Sequence, residues 1–151
     1  MPPNRPLPIL ALILRVLLGA WFVYSGGEKV FGTGLAEFTR AVGNYRMVPV
    51  PWEAVIAYTL PWFEIVAGLC LVLGFLRKGA LLLVAGMTTV FAIAVGHAWR
   101  EGLNIACGCR GSDAPMSYGG KFAEFAAYFA VIAFVWWQEC RTGRGKSPAN
   151  V

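Results

Sequence analysis

The sequence predicts an all-α membrane protein, a bundle of four transmembrane helices with a short interfacial amphipathic helix between the first and second. Three observations predict it. Four apolar stretches are each long enough, or nearly so, for the roughly 20 residues a helix needs to cross ~30 Å of hydrocarbon. The 151 residues are 58% hydrophobic and only 14% charged, whereas a soluble domain averages about 25% charged. The 18 glycines suit membrane helices, where small residues let backbones approach.

Taken in order, the first helix is expected over residues 7–27, interrupted only by Arg15. Its basic start at Arg5 resembles a signal peptide. The run is long for one, however, carries Arg15 and lacks a small-x-small cleavage site, so it reads as a retained helix. In the link that follows, Leu35, Phe38 and Val42 stand at i, i+3 and i+7, the spacing of a short amphipathic helix on the membrane surface. Pro49 and Pro51 end it and lead into a second helix over residues 53–76, interrupted by Glu64. Leu76-Arg77-Lys78-Gly79 reads as a tight turn, making the second and third helices antiparallel neighbours. The third helix is expected over 79–99, with His97 near its end, and the fourth over 120–139, with Glu124 near its start. The irregular link between them carries Cys107 and Cys109, and the polar tail 141–151 is expected to be disordered. One domain, 1–151, accounts for the whole chain. Small residues four apart, Ala92 with Gly96, Ala123 with Ala127 and Ala126 with Ala130, predict close packing of the later helices.

The net charge of +5 does not point to nucleic acid, because the basic residues sit at the ends of apolar runs rather than on one polar face. There they orient the protein and meet anionic lipid. Arg5, Arg77, Lys78, Arg141, Arg144 and Lys146 fall on the side of the termini; Lys29, Arg40, Arg46, Arg100, Arg110 and Lys121 fall on the other. The count ties, but the first set is denser. The expectation is cytoplasmic termini, with the Cys107–Cys109 loop facing the periplasm, where disulfides persist.

An ionisable residue within a span usually faces the bundle interior and a partner. Depth counted along the helices places Arg15 and Glu64 level with one another, so they are expected to pair and fix helix register, with a role in substrate or quinone binding as the alternative. A second polar group, Glu28, Lys29, His97, Lys121 and Glu124, gathers at the other surface beside the cysteine loop. His97 and Glu124 are candidates for proton transfer there. Trp21, Tyr24 and Trp99 are the candidate cofactor-binding aromatics, although with Trp52 and Trp62 they also fit an interfacial belt.

Cys107-Gly108-Cys109 is the strongest chemical signal. A disulfide across one residue needs a bent backbone, which Gly108 permits. Such a ring is strained, and strain raises the reduction potential, favouring exchange over stapling. Arg110 alongside favours the thiolate. A passive loop disulfide and chance remain alternatives, as does a soft metal, but two thiolates and one distant histidine make an incomplete site and no metal is expected. Cys70, inside an apolar run, reads as a small core hydrophobe, and Cys140 as an inert helix-end thiol.

With these residues in hand, the chain resembles the DoxX/MauE family of small four-helix membrane proteins. The resemblance rests on Arg15 with Ser25-Gly26-Gly27-Glu28-Lys29, on Pro61-Trp62-Phe63-Glu64 followed by Gly68, and on Cys107-Gly108-Cys109. Where the family pattern often continues with Phe-Gly, this chain has Arg110-Gly111. The resemblance implies a redox-associated protein of the bacterial inner membrane. Its MauE branch implies maturation of a periplasmic methylamine dehydrogenase, and its DoxX branch implies electron transfer involving quinone.

The expected function is therefore a thiol–disulfide relay. Cys107 and Cys109 exchange with a periplasmic thiol or disulfide protein and pass electrons to membrane quinone, the chain acting as an oxidoreductase. The alternative is a non-catalytic scaffold or assembly factor for a periplasmic redox enzyme.

Overall fold

The computed structural model describes residues 6–103 and 117–144. Among them the chain forms five α-helices and one π-helical turn. Helix α1 (Pro6–Gly27) runs on through the π turn Glu28–Gly32. Then come α2 (Leu35–Asn44), α3 (Val50–Leu73), α4 (Arg77–Arg100) and α5 (Tyr118–Arg144). Four segments, Pro6–Gly32, Val50–Leu73, Arg77–Arg100 and Tyr118–Arg141, are long and apolar enough to span a membrane. Their outward-facing residues, among them Leu17, Val66, Leu82, Val90 and Ile93, are as apolar as the core. Such a surface suits lipid and not water.

Helix α2 bears out the i, i+3, i+7 reading. Phe38 is buried, Leu35 and Val42 are half-buried, and Glu37 and Arg40 stay exposed. Pro49 is extended and caps α3, whose second residue is Pro51. That places the start of the second spanning helix at Val50, three residues before the expected 53.

The far end of the same helix also shifts. Gly74 takes the left-handed conformation (φ 74°), and the Phe75 N–H donates to the Cys70 carbonyl at 2.9 Å, a Schellman closure. The helix therefore ends at Leu73 rather than 76. The tight turn is Gly74-Phe75-Leu76, and Arg77 and Lys78 open α4 rather than form the bend. The apolar run continues through Phe75 and Leu76, so hydropathy alone hid this boundary. Helix α5 likewise continues through Arg144 into the segment expected to be a disordered tail; residues 145–151 lie outside the described residues.

Lipid tails are as apolar as leucine, so close packing rather than the hydrophobic effect holds spanning helices together. The tightest contact lies between α1 and α3. A Cβ on Gly19 would stand 2.7 Å from the Gly68 carbonyl oxygen, and one on Gly68 would stand 2.5 Å from that of Gly19. No side chain fits at either position. The expected small-residue pairs of the later helices do not make this kind of contact: Gly96 has open space around it, and Ala123, Ala126, Ala127 and Ala130 face outward. Leu18, Phe22, Leu71, Leu81, Val84 and Val135 fill the centre, with Cys70 packed against them as expected of a core thiol.

Candidate functional site

The site is built from one face of α1. Arg15 and Lys29 are 14 residues apart, close to four turns, so they share a face and lie about 21 Å apart along the axis. Each meets an acid, and the two acids are different.

Lys29 lies in the π turn, where the Thr33 N–H donates to the Glu28 carbonyl five residues back at 2.9 Å. Side chains on a helix lean toward its N-terminus, so Lys29 reaches back toward the membrane interior. Its ammonium donates to Ser25 Oγ at 2.9 Å and to Glu64 Oε1 and Oε2 at 2.8 and 2.6 Å. Three donors meet three acceptors, so none of the ammonium protons lacks a partner. The Phe38 and Phe91 rings stand 5.4 and 5.5 Å from the nitrogen. Lys29 and Glu64 are each 2% exposed.

Arg15 pairs instead with Glu139 on α5, at 3.5 Å, and Arg77 meets the same Glu139 oxygen at 3.2 Å. The expected Arg15–Glu64 pair is thus replaced by two separate pairs. The reason is stagger. Gly74, just past the end of α3, lies against Arg15, nine residues into α1. The start of α1 therefore projects about 13 Å beyond the end of α3, and depths counted from the two helix ends do not share a common zero. The lean of Arg15 toward the N-terminus then carries its guanidinium to the α3–α4 turn and away from Glu64.

On the other side of the Lys29–Glu64 pair lies a cleft walled by all four spanning helices. Trp21 and Phe22 come from α1, Thr88 and Phe91 from α4, and Lys121, Glu124, Phe125 and Tyr128 from α5. Ser25, Lys29 and Glu64 complete it. The cavity itself holds about 60 Å³ and opens to one side. Glu124 is held from both sides: Lys121 Nζ donates to one oxygen at 2.8 Å and the Tyr128 hydroxyl to the other at 2.5 Å. Tyr128 in turn packs edge-on to Phe22, with centroids 6.4 Å apart.

Of the residues singled out in the sequence, Glu124 and Trp21 line this cleft. Tyr24 tilts against Trp21 at 5.9 Å but is exposed. Trp99 is also exposed and meets Phe122 edge-on, tying α4 to α5. His97 is half-buried in the last turn of α4 and does not line the cleft. Cys107 and Cys109 lie outside the described residues. The ends of their loop are described: the Tyr118 hydroxyl donates to the Leu103 carbonyl, closing the loop at its base. Tyr118 stands one turn before Lys121 and fewer than two before Glu124, so the loop springs from the end of the bundle that holds the cleft.

The residues that sequence reasoning missed are Ser25, Thr88 and Tyr128, and Lys29 as the partner of Glu64. Two signals for them exist in the sequence. Ser25 stands four before Lys29 and Tyr128 four after Glu124, the spacing of neighbours on one helix face.

The methylamine utilization protein MauE of Paracoccus denitrificans is 31% identical over 114 residues, covering 74% of this chain. This chain spans 60% of that relative's length. No solved structure matches. The family described as methylamine utilisation protein MauE matches residues 7–138, a stretch that takes in nearly all of the four spanning helices, the Lys29–Glu64 pair and the cysteine loop, and ends one residue before Glu139. This multi-pass membrane protein belongs to the MauE family.

Proposed function

We propose that this chain is a membrane thiol–disulfide oxidoreductase serving the maturation of a periplasmic enzyme of methylamine utilisation. In this reading it sits in the bacterial inner membrane with both termini cytoplasmic and the Cys107–Cys109 loop periplasmic. The observation that carries it is the siting of a polar, aromatic-walled cleft at the end of the bundle where Leu103 and Tyr118 bracket the two cysteines.

The chemistry balances as two exchanges. A periplasmic dithiol attacks the Cys107–Cys109 disulfide; the partner's disulfide forms, and the two cysteines become thiols. Re-forming the Cys107–Cys109 disulfide releases two electrons and two protons, which a membrane quinone takes up as hydroquinone.

The cleft suits a quinone headgroup in character at its mouth: Trp21 and Phe125 offer flat apolar faces beside the Glu124 carboxylate. Glu124 is the proton-transfer group, held in place by its two donors. His97, on the last turn before the loop, is the second candidate for moving protons. Lys29 and Glu64 hold α1 to α3 beneath the site.

The test is covalent trapping in native membranes. A Cys109→Ser variant, and separately Cys107→Ser, should capture a periplasmic protein in a mixed disulfide, and the double serine variant should capture none. The double variant should also fail to mature the partner enzyme. Normal maturation with both cysteines replaced would make the chain an assembly scaffold and overturn the relay.

A further inference from the structure

At the opposite end of the bundle the stagger of the helices leaves a notch. The start of α1 and the end of α5 project past the α3–α4 turn, which forms the floor. Leu12 and Arg15 line one wall, Glu139 lines the other, and Leu76, Arg77 and Lys78 line the floor. Three cations thus face a single carboxylate, and that carboxylate is already shared between Arg15 and Arg77.

Two independent features point to an anion. Helix α4 begins at this floor with Leu76 as its N-cap, which supplies no side-chain acceptor. The first helical hydrogen bond is from the Ala80 N–H to the Leu76 carbonyl, so the amides of Arg77, Lys78 and Gly79 have no acceptor within the helix. Free amides and the helix dipole favour a phosphate there. Separately, Arg15 is only 9% exposed, and its Nε atom has no hydrogen-bond partner among the described residues. The Nε atom is itself sealed from the notch, but Arg15 and Arg77 share one Glu139 oxygen there, so the notch keeps an excess of positive charge that suits an anion entering from the side.

We propose that this notch binds the phosphate of an anionic phospholipid from the adjoining leaflet. Arg77, Lys78 and the α4 amides hold the phosphate, Arg15 backs it, and Leu12 and Leu76 pass the chains toward the hydrocarbon. The apolar wall is what distinguishes a lipid phosphate from free inorganic phosphate, which has no use for it.

The test uses the full chain in nanodiscs of phosphatidylcholine alone or with phosphatidylglycerol, scoring co-purified lipid by mass spectrometry after detergent extraction. The native chain should retain phosphatidylglycerol in preference. An Arg77→Gln/Lys78→Gln variant changes exposed residues and should keep its helical circular dichroism while binding that lipid about 30-fold more weakly, as the loss of two membrane-facing charges implies. An Arg40→Gln/Arg46→Gln control on α2 and the α2–α3 link should retain it. Equal retention of both lipids, or full retention by the Arg77/Lys78 variant, would overturn the proposal. So would displacement of the lipid by millimolar inorganic phosphate, which would make the ligand a soluble anion.

Discussion

Helix α1 and the π turn that continues it carry two cations about four turns apart on the same face, Arg15 and Lys29, and the two are treated in opposite ways. Lys29 is sealed among Ser25, Glu64, Phe38 and Phe91, with every ammonium proton placed. Arg15 shares its carboxylate with the half-exposed Arg77 at the edge of an open notch. The same charge is a closed pair at one site and, at the other, a buried cation sharing its acid at the rim of a notch. What decides the difference is whether the helix stagger leaves an α3 side chain opposite the cation or only the end of that helix.

The largest effect expected from this comparison lies at the sealed end. Lys29→Met or Glu64→Leu alone leaves a buried charge without its partner and should destabilise the protein by about 3–5 kcal/mol. The double variant, with both charges removed, should recover much of that loss. Unfolding in mixed micelles, followed by circular dichroism, measures all three. Additive single costs would mean that the two residues do not act as a pair.

How much of this was legible in the sequence follows the same division. The four spans, the amphipathic α2 and a polar gathering near the cysteine loop could be read, because hydropathy and helical periodicity are local properties. Partner choice could not. Arg15 and Glu64 lie at matching distances from their own helix ends, yet Gly74 sits against Arg15 because α1 and α3 are offset. That offset is set by the Gly19–Gly68 contact, which appears in the sequence only as two glycines among 18. The pairing of Lys29 with Glu64 also depends on the π turn, whose residues Glu28–Gly32 carry no local signal for it.

The next effect tests the cleft against the notch in function. Glu124→Gln keeps the size of the side chain but removes its charge and its capacity to take a proton. It should slow quinone-linked re-formation of the Cys107–Cys109 disulfide by about a hundredfold or more. Re-oxidation followed by thiol labelling in membranes measures the rate. Arg77→Gln at the other end should leave it unchanged. A normal rate in Glu124→Gln would remove the cleft from the redox path while leaving thiol exchange with the partner intact.

A smaller effect should arise between the two poles. Gly68→Ala places a methyl against the Gly19 backbone carbonyl, which cannot swing aside. The helices must separate by a few tenths of an ångström or more, at about 1–3 kcal/mol. Gly96→Ala, with open space around it, should cost nothing comparable. If Gly68→Ala also weakens the coupling between Lys29 and Glu64, then the glycine contact holds the sealed pair in register. Unchanged coupling would separate backbone packing from charge placement.

The smallest effect belongs to the open end. Arg77 is half exposed, and its contact with Glu139 is screened by solvent, so Arg77→Gln should cost under about 1 kcal/mol in stability. That cost should shrink further as salt is raised, because exposed charges are screened over about a Debye length. The Lys29–Glu64 pair, shut away from ions, should show no such dependence. Parallel unfolding series at low and high salt therefore separate the two ends directly. A salt-insensitive loss in Arg77→Gln would mean that the notch is as closed as the site around Lys29, and the contrast between the ends of α1 would collapse.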